Sequence, residues 1–374
     1  MTLLDPTHAP AARSWLATAN AAGCDFPIQN LPFAVLRKRG SGEAYRGAVA
    51  IGDQALDLAA LQARKLLPGA AADALALAAQ ATLNDFMAAG PGAWRALRHA
   101  LFALLAEGAA QADAVRACLL PLADVEYALP ARIADYTDFY TSLDHALNCM
   151  RIMRPEADVT PNFRWLPQAY HGRASTIGVS GQRFHRPRGQ FVPRGEQAPV
   201  YAACAAMDYE LELGILITRP LYNARPAEAK RAIGGLVVLN DFSARDVQMA
   251  EMASGFGPAK TKNFATAVSW TVVTPDEVPD IGNLTARVYI NDRLAGQGHM
   301  QGMHFSAEEA IAFASLEEKL YPGELIGLGT VPGCCGMENG HFLTPGDRIR
   351  LEIDGVGTLT NIIEAPASRI SMEG

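Results

Sequence analysis

Two acidic residues within one apolar run are the strongest chemical signal in the sequence. Glu210 and Glu212 stand two positions apart within residues 208–218, and side chains at i and i+2 of a β-strand point to the same face. Two carboxylates on one face repel each other unless a positive group lies between them. A hard divalent cation such as Mg²⁺ or Ca²⁺ fits, because these ions prefer several oxygen ligands. A solvated strand face that binds no ion is the alternative.

Another carboxylate follows a second apolar run. Residues 236–239 are Leu-Val-Val-Leu and predict a buried strand that ends at Asn240-Asp241. Sites are commonly built at the end of a buried strand, although Asp241 alone would also be a plausible helix N-cap. If the polar segment behind it is helical, Arg245 and Gln248 lie on one side of the helix, because they are three residues apart.

A histidine follows a segment rich in aromatic and acidic residues. Ser142 is a typical helix N-cap, and His145 lies in the first turn of the helix that would follow. A lone histidine is more often a surface or satisfied core residue than a catalyst. The sequence lacks the G-x-S-x-G, H-E-x-x-H, G-x-x-x-x-G-K-[ST] and G-x-G-x-x-G motifs, so a hydrolase built on these residues would use water as its nucleophile.

The overall composition argues against several other classes of protein. The chain has 374 residues, a formal net charge of −7 and 49% hydrophobic residues, whereas a nucleic-acid-binding protein would carry a basic excess. No run approaches the roughly 18 apolar residues of a membrane span, and no secretory pattern opens the chain. We therefore expect a cytoplasmic protein with no nucleic-acid or membrane partner. Six cysteines without a C-x-x-C pair predict reduced, structural thiols.

The elements that must position these residues divide the chain in two. Residues up to about 60 contain short strands and turns, and residues 59–120 are rich in Ala and Leu and predict helices. After Pro130, aromatic, Gly, Pro and charged residues become dense between β-like runs. We predict an N-terminal scaffold domain over residues 1–125 and a mostly antiparallel β domain with functional loops over residues 126–374.

Several long motifs resemble the fumarylacetoacetase family. They are DYTDFY at 135–140, YHGRAS at 170–175, ELE at 210–212 and NDFSARD at 240–246, with further matches at 25–32 and 49–54. They occur in the family order over about residues 25–270, and beyond that the resemblance thins. It implies a mostly β fold with α-helices: a small N-terminal SH3-like barrel plus helices, followed by a C-terminal mixed β-sandwich roll, in a homodimer. The implied reaction is hydrolysis of 4-fumarylacetoacetate, a small diketo acid, to fumarate and acetoacetate at the end of tyrosine and phenylalanine breakdown.

The resemblance also implies the roles of individual residues. The implied metal ligands are the carboxylates Asp138, Glu210, Glu212 and Asp241, and a further cation site involves Lys262 and Thr266. The implied base is His145. The implied substrate contacts are Tyr140, Arg154, Tyr170, Gln248 and Thr330. Donors that could stabilise an oxyanion are Arg245, Gln248 and Lys262.

Two departures from the family pattern bear on the substrate and on the histidine. A tyrosine expected shortly after Gln248 is Met252 here, which removes a hydroxyl that could bind the substrate. The glutamate expected to orient His145 falls where the resemblance weakens, and Glu338 is the candidate after a short deletion. The alternatives are another activity on a related diketo acid (acylpyruvate hydrolase, oxaloacetate-type decarboxylase or hydratase) and a non-catalytic metabolite-binding protein.

Overall fold

The N-terminal part of the chain is an antiparallel sheet with helices packed on it. The structure, a computed structural model, describes residues 5–193, 195–278 and 280–367, so the outer ends of both predicted domains lie outside the described residues. The strands here are β1 (Phe33–Lys38), β2 (Arg46–Ile51), β3 (Gln54–Asp57), β4 (Leu119–Pro121) and β5 (Val125–Tyr127). The helices are α1 (Leu58–Ala63), α2 (Gly69–Ala78), α3 (Asn84–Ala88), α4 (Pro91–Leu105) and α5 (Ala112–Arg116). The Ala- and Leu-rich segment is therefore helical.

Strand order in this sheet is β1-β2-β3-β4, and β5 pairs with the far end of β1. The β2–β3 hairpin closes at Gly52-Asp53, where Gly52 has a φ of +59°. Glycine adopts this left-handed conformation at low cost because it has no Cβ. Strand β5 crosses the predicted boundary at 125–126 and belongs to the N-terminal sheet.

The second part of the chain is built mainly on a seven-stranded and a five-stranded sheet. Its strands are β6 (Tyr136–Phe139), β7 (Ala169–Gly172), β8 (Ile177–Val179), β9 (Arg183–His185), β10 (Arg188–Phe191), β11 (Val200–Ala203), β12 (Met207–Asp208), β13 (Glu210–Ile217), β14 (Ile233–Asp241), β15 (Ser243–Ala244), β16 (Thr266–Val268), β17 (Thr271–Val272), β18 (Thr285–Ile290), β19 (Arg293–His299), β20 (Leu325–Cys335), β21 (Arg348–Ile353) and β22 (Gly357–Glu364). Its helices are α6 (Leu143–Met153), α7 (Pro226–Ala229), α8 (Arg245–Met252), α9 (Ala307–Ala314) and α10 (Gly336–Asn339).

A seven-stranded sheet in the order β7-β6-β20-β13-β14-β16-β8 forms the centre, and a five-stranded sheet has the order β19-β18-β21-β22-β9. The β20–β6, β16–β8 and β22–β9 pairs are parallel, and the other pairs within these two sheets are antiparallel. Strand β17 pairs with β1, so the two parts of the chain share backbone hydrogen bonds. The fold is thus mixed α/β.

Both faces of the central sheet are covered, and this explains its unbroken apolar strands. In β14, Leu236 and Val238 pack in the core that includes the five-stranded sheet, whereas Val237 and Leu239 pack in the core that includes α4. Alternate residues of a strand point to opposite faces. A strand buried on both faces therefore reads as a continuous hydrophobic run. Among the described helices, none is long and apolar enough to cross a membrane.

Candidate active site and metal centre

Three carboxylates from three strands meet inside the central sheet. Asp138 on β6, Glu212 on β13 and Asp241 at the end of β14 are each at most 2% exposed. Each offers an oxygen, and these oxygens lie within 4.8 Å of one another. Leu211 and Leu213 on β13, and Tyr209 directly before it, lie in the apolar core. The period-two pattern therefore directs Glu212 to the opposite face, as the sequence predicts.

A glycine makes the meeting across β20 possible. Strand β20 lies between β6 and β13, and its Gly327 pairs with Asp138. A Cβ at Gly327 would lie 2.6 Å from Asp138 Oδ1 and 3.0 Å from Glu212 Oε2, which is closer than van der Waals contact. The absent side chain thus leaves the space in which the two carboxylates approach.

The three-carboxylate group has the properties of a site for a hard cation. Asp138 Oδ1 and Asp241 Oδ1 are buried and have no hydrogen-bond partner among the described residues. Burial raises the pKa of both Glu212 and Asp241, and the pKa of Glu212 is raised further by repulsion from Asp138 and Asp241. Buried unpaired oxygens are costly, and a divalent ion satisfies several of them at once. The residues present therefore fit Mg²⁺ or Ca²⁺.

Glu210 lies beside this group and is paired with two cations. Its carboxylate accepts hydrogen bonds from Lys262 Nζ and, at 2.6 Å, from Arg245 Nη2. Burial opposes ionisation, but Lys262 and Arg245 outweigh it and hold the pKa of Glu210 well below its usual range. Lys262 also donates to Asp241 Oδ2 at 2.5 Å, and buried Thr266 pairs with Asp241 across β14 and β16. The structure thus brings together all six predicted metal-site residues, with Glu210 outside the three-carboxylate group.

His145 is held between a carboxylate and the metal-site residues. Ser142 caps α6 by accepting the His145 backbone N–H at 3.1 Å. The ring is 1% exposed, and its Nδ1 lies 2.9 Å from Glu338 Oε2 on α10. Glu338 Oε1 accepts a hydrogen bond from Asn148 Nδ2 at 2.8 Å. On the other side of the ring, His145 Nε2 is 4.0 Å from Glu210 Oε1. The imidazole therefore lies between the carboxylates of Glu338 and Glu210.

The charge around His145 favours its protonated form. Burial lowers the pKa of His145, but contacts with Cys335 and Glu338 outweigh burial and raise it to about 9. A base role requires a pKa nearer neutrality. Positive charge bound among the neighbouring carboxylates would lower the pKa, because it disfavours a second cation nearby.

The predicted substrate contacts are distributed unequally. Tyr170 Oη donates to Asp138 Oδ2 at 3.3 Å, and Thr330 Oγ1 lies 3.5 Å from Glu212 Oε1. The Tyr140 ring meets the His145 ring edge-on, with centroids 5.4 Å apart. Arg154, by contrast, is exposed at the C-terminal end of α6. Tyr140, Tyr170 and Thr330 therefore lie next to the carboxylates or His145, whereas Arg154 lies at the surface.

Arg245 and Gln248 do lie on one side of α8. Arg245 Nη1 donates to Gln248 Oε1 at 2.9 Å, and Arg245 Nε donates to Asp208 Oδ2 at 2.7 Å. Together with the bond to Glu210, these contacts direct the guanidinium toward protein groups. Its role as an oxyanion donor stays a prediction.

Two residues of the site were missed in the sequence. The Tyr136 hydroxyl donates to Asp138 Oδ2 from two positions earlier on β6. Fully buried Asp208 accepts hydrogen bonds from Gly336 N at 2.6 Å and Met337 N at 3.0 Å, besides pairing with Arg245. Both residues stand at i−2 from a recognised carboxylate. The period-two rule that singled out Glu210 and Glu212 would have found them.

Replacing Asp208 by asparagine is expected to lower the free energy of unfolding by about 3–5 kcal/mol, since it breaks a buried ion pair. The change also loosens the N-terminus of α10, which carries Glu338, so we expect kcat to fall at least about tenfold. Urea denaturation and steady-state kinetics measure the two effects. The matched control is Asp246→Asn, because the neighbouring Asp246 accepts the Ala205 backbone N–H at 2.7 Å. We expect this variant to lose about 1 kcal/mol in its free energy of unfolding. Equal losses in the two variants would contradict the special role of Asp208.

A separate cavity of about 660 Å³ lies between α4 and the segment around α9, with Trp94, Ile233 and Met300 among its lining residues. None of the predicted site residues lines it. The carboxylates and His145, which lie outside this cavity, therefore define the candidate active site.

Comparison with known proteins agrees with the fold and with the sequence motifs. The family model "Fumarylacetoacetate (FAA) hydrolase C-terminal" matches residues 136–364, and "Fumarylacetoacetase N-terminal" matches residues 29–130. Curated fumarylacetoacetases from Oryza sativa subsp. japonica and Arabidopsis thaliana are 42% and 33% identical over 266 and 345 residues. These alignments cover 68% and 82% of this chain, and 62% and 82% of the relatives. The Mus musculus fumarylacetoacetase is 34% identical over 84% of this chain and 83% of its own.

Solved structures with low sequence identity share the fold. Maleylpyruvate hydrolase from Sphingobium sp. SYK-6 superposes with a TM-score of 0.58 at 19% identity, covering 90% of this chain and 100% of that one. A putative HpcE protein from Mycobacterium smegmatis gives 0.59 at 23% identity, covering 89% and 99%. The mixed α/β fold and the family matches over most of the sequence agree, and this chain belongs to the fumarylacetoacetate hydrolase family.

Proposed function

We propose that this protein hydrolyses a C–C bond of 4-fumarylacetoacetate to give fumarate and acetoacetate, the final step of tyrosine and phenylalanine catabolism. Support comes from relatives named fumarylacetoacetase at 33–42% identity and from both family models. The observation that carries the proposal is that the His145–Glu338 pair lies beside the carboxylates, with His145 Nε2 4.0 Å from Glu210 Oε1. A base next to a cation site is what the hydrolysis of a diketone needs.

The residues that would hold the cation are Asp138, Glu212 and Asp241, with Glu210, Lys262 and Thr266 next to them. We propose Mg²⁺ or Ca²⁺, because the donors of the three-carboxylate group are hard oxygens. When bound, such an ion would help to orient a 1,3-diketone and would polarise its carbonyls.

The protein's own residues then supply the proton transfers. With Nδ1 held by Glu338, the neutral imidazole of His145 takes a proton from water at Nε2, and the water oxygen adds to a carbonyl carbon. Lys262, Arg245 and Gln248 are the donors that we propose for the oxyanion that forms. Removing one such donor typically costs about 10²–10³ in rate.

Collapse of this intermediate breaks the C–C bond to the methylene between the two carbonyls. The bonding electron pair moves to the methylene carbon and is delocalised into the second carbonyl as an enolate. The proton held on His145 returns to that carbon, so the ring ends the cycle neutral. Tyr140, Tyr170 and Thr330 surround the volume in which we expect the substrate to be positioned.

Met252 favours a second candidate, another reaction on a related diketo acid. It replaces the expected tyrosine at the end of α8, and its side chain is 51% exposed. One fold commonly supports several chemistries. An acylpyruvate hydrolase, an oxaloacetate-type decarboxylase or a hydratase would keep the carboxylates and differ in the substrate anchors.

An assay with purified protein and Mg²⁺ or Ca²⁺ tests the proposal. We expect fumarate and acetoacetate to form from fumarylacetoacetate in equal amounts, identified by NMR. Acylpyruvates and oxaloacetate are assayed in parallel. Faster turnover of one of these, with no cleavage of fumarylacetoacetate, would overturn the assignment in favour of the second candidate.

Four finer points stay proposals. The homodimer and the SH3-like form of the N-terminal sheet follow from the family resemblance, and the cytoplasmic location follows from composition. The division into residues 1–125 and 126–374 is supported by the two family matches, 29–130 and 136–364, which meet between residues 130 and 136.

A further inference from the structure

Two thiols flank the imidazole of His145, and the proposed hydrolysis gives them no task. Cys149 lies one turn after His145 on α6, with its Sγ 3.7 Å from Nδ1 and 3.8 Å from Nε2. Cys335 ends β20, and its Sγ lies 3.3 Å from Glu338 Oε2. One ligand atom from each of His145, Cys149 and Cys335 lies within 4.8 Å of the other two. These three residues form a nitrogen–sulfur cluster.

One edge of the nitrogen–sulfur cluster is close to the length expected for tetrahedral coordination. Zinc binds imidazole nitrogen at about 2.0–2.1 Å and thiolate sulfur at about 2.3 Å, which sets the N···S edge of a tetrahedron at about 3.5 Å. The observed 3.7 Å from Cys149 Sγ to His145 Nδ1 is close to that edge. A fourth donor is at hand, because Glu338 Oε2 lies 2.9 Å from His145 Nδ1.

The donor types separate this cluster from the neighbouring carboxylates. Thiolate and imidazole ligands suit borderline and soft ions such as Zn²⁺, whereas carboxylates suit Mg²⁺ and Ca²⁺. Asn148 is exposed and donates to Glu338, so an exposed side chain contacts the Glu338 edge of the cluster.

We propose that the nitrogen–sulfur cluster binds a thiophilic divalent cation of the Zn²⁺ type, and that its binding inhibits the enzyme. On binding, the two thiols lose their protons to solvent and bond to the ion as thiolates. The imidazole donates a nitrogen lone pair to the ion. As the fourth donor, Glu338 moves from its present hydrogen bond with His145 toward the ion. The inhibition rests on the proposed role of His145 as base, whereas the binding does not.

Cobalt is the probe for binding, because thiolate ligation of Co²⁺ gives charge-transfer absorption in the near ultraviolet. Co²⁺ is titrated into the wild-type protein in saturating Mg²⁺. We expect this absorption in the wild type and a loss of affinity of at least about 100-fold in Cys149→Ser and in Cys335→Ser. The matched control is Cys334→Ser, since Cys334 Sγ points away toward the Ala286 carbonyl oxygen at 3.8 Å. This variant should bind Co²⁺ like the wild type.

Absence of thiolate absorption in the wild type would overturn the proposal without recourse to any variant. Absorption that both serine variants retain would also overturn it. Circular dichroism verifies that each variant is folded before titration.

Hydrolysis is the second readout, expressed for each variant as the ratio of rates with and without Zn²⁺. We expect strong inhibition of the wild type and of Cys334→Ser, and at least about 100-fold weaker inhibition of Cys149→Ser. Cobalt binding that requires both thiols, without any hydrolysis, would contradict the proposed function but not the site. Active enzyme that shows no thiolate absorption would contradict the site but not the function.

Discussion

Replacing His145 by alanine is expected to lower kcat by about 10²–10⁴-fold, the usual contribution of a general base. The variant should fold, because Ser142 caps α6 through the backbone N–H of residue 145 and not through the ring. It should also bind Mg²⁺ or Ca²⁺, since the three-carboxylate group is unchanged. Steady-state kinetics, circular dichroism and calorimetry measure these three properties.

A surface histidine with a carboxylate neighbour provides the matched control. His185 on β9 is exposed, and its Nδ1 lies 3.5 Å from Glu364 Oε2. His185→Ala should leave kcat unchanged. A wild-type rate for His145→Ala would show that another group takes the proton from water, and the assignment of the base would be withdrawn.

Glu212→Ala is expected to weaken Mg²⁺ or Ca²⁺ binding by at least about 100-fold and to abolish the thermal stabilisation by the ion. The strand of Glu212 lies between the strands of Asp138 and Asp241, and Glu212 Oε2 accepts the Gly329 N–H at 2.9 Å. An ion at 100 times its Kd stabilises the folded state by about 2.7 kcal/mol. The wild type should therefore gain several degrees in Tm on adding the ion, and the variant should gain almost none. Calorimetric titration gives the affinity directly.

Two further variants separate ligand loss from a general loss of negative charge. Gly327→Ala keeps every carboxylate but places a Cβ 2.6 Å from Asp138 Oδ1, so it should also weaken ion binding. Glu228→Ala removes a half-exposed carboxylate on α7 that pairs with the N-cap residue Arg225 and should leave ion binding unchanged. An unchanged isotherm for Glu212→Ala would mean that the ion, if one binds, is held elsewhere.

Local rules applied to the sequence account for much of the site. Period-two alternation placed Glu212 on the face opposite Leu211 and Leu213, and the buried strand 236–239 pointed to the carboxylate at its end. The motifs identified the family, and the comparisons confirm it. These inferences succeed because strand periodicity and family motifs are properties of a few neighbouring residues.

The grouping of the side chains was decided by the tertiary structure. Asp138 meets Glu212 only because β20 lies between their strands with Gly327 in register, and sheet order is not written in any one segment. The burial of Arg245 against Glu210 sets that carboxylate apart from the other three, whereas Lys262 is shared with Asp241. No spacing rule distinguishes it from Glu212.

The partners that are farthest apart in the chain also show that the tertiary structure decides which side chains meet. Glu338 reaches His145 across 193 residues, and Cys335 joins Cys149 beside the ring, although the sequence predicted only structural thiols. Residue types determine which atoms can donate, accept or bind an ion. Their meeting depends on long-range strand register and on the packing of α6 and α10, and the folded chain sets both through burial of apolar surface far from the site.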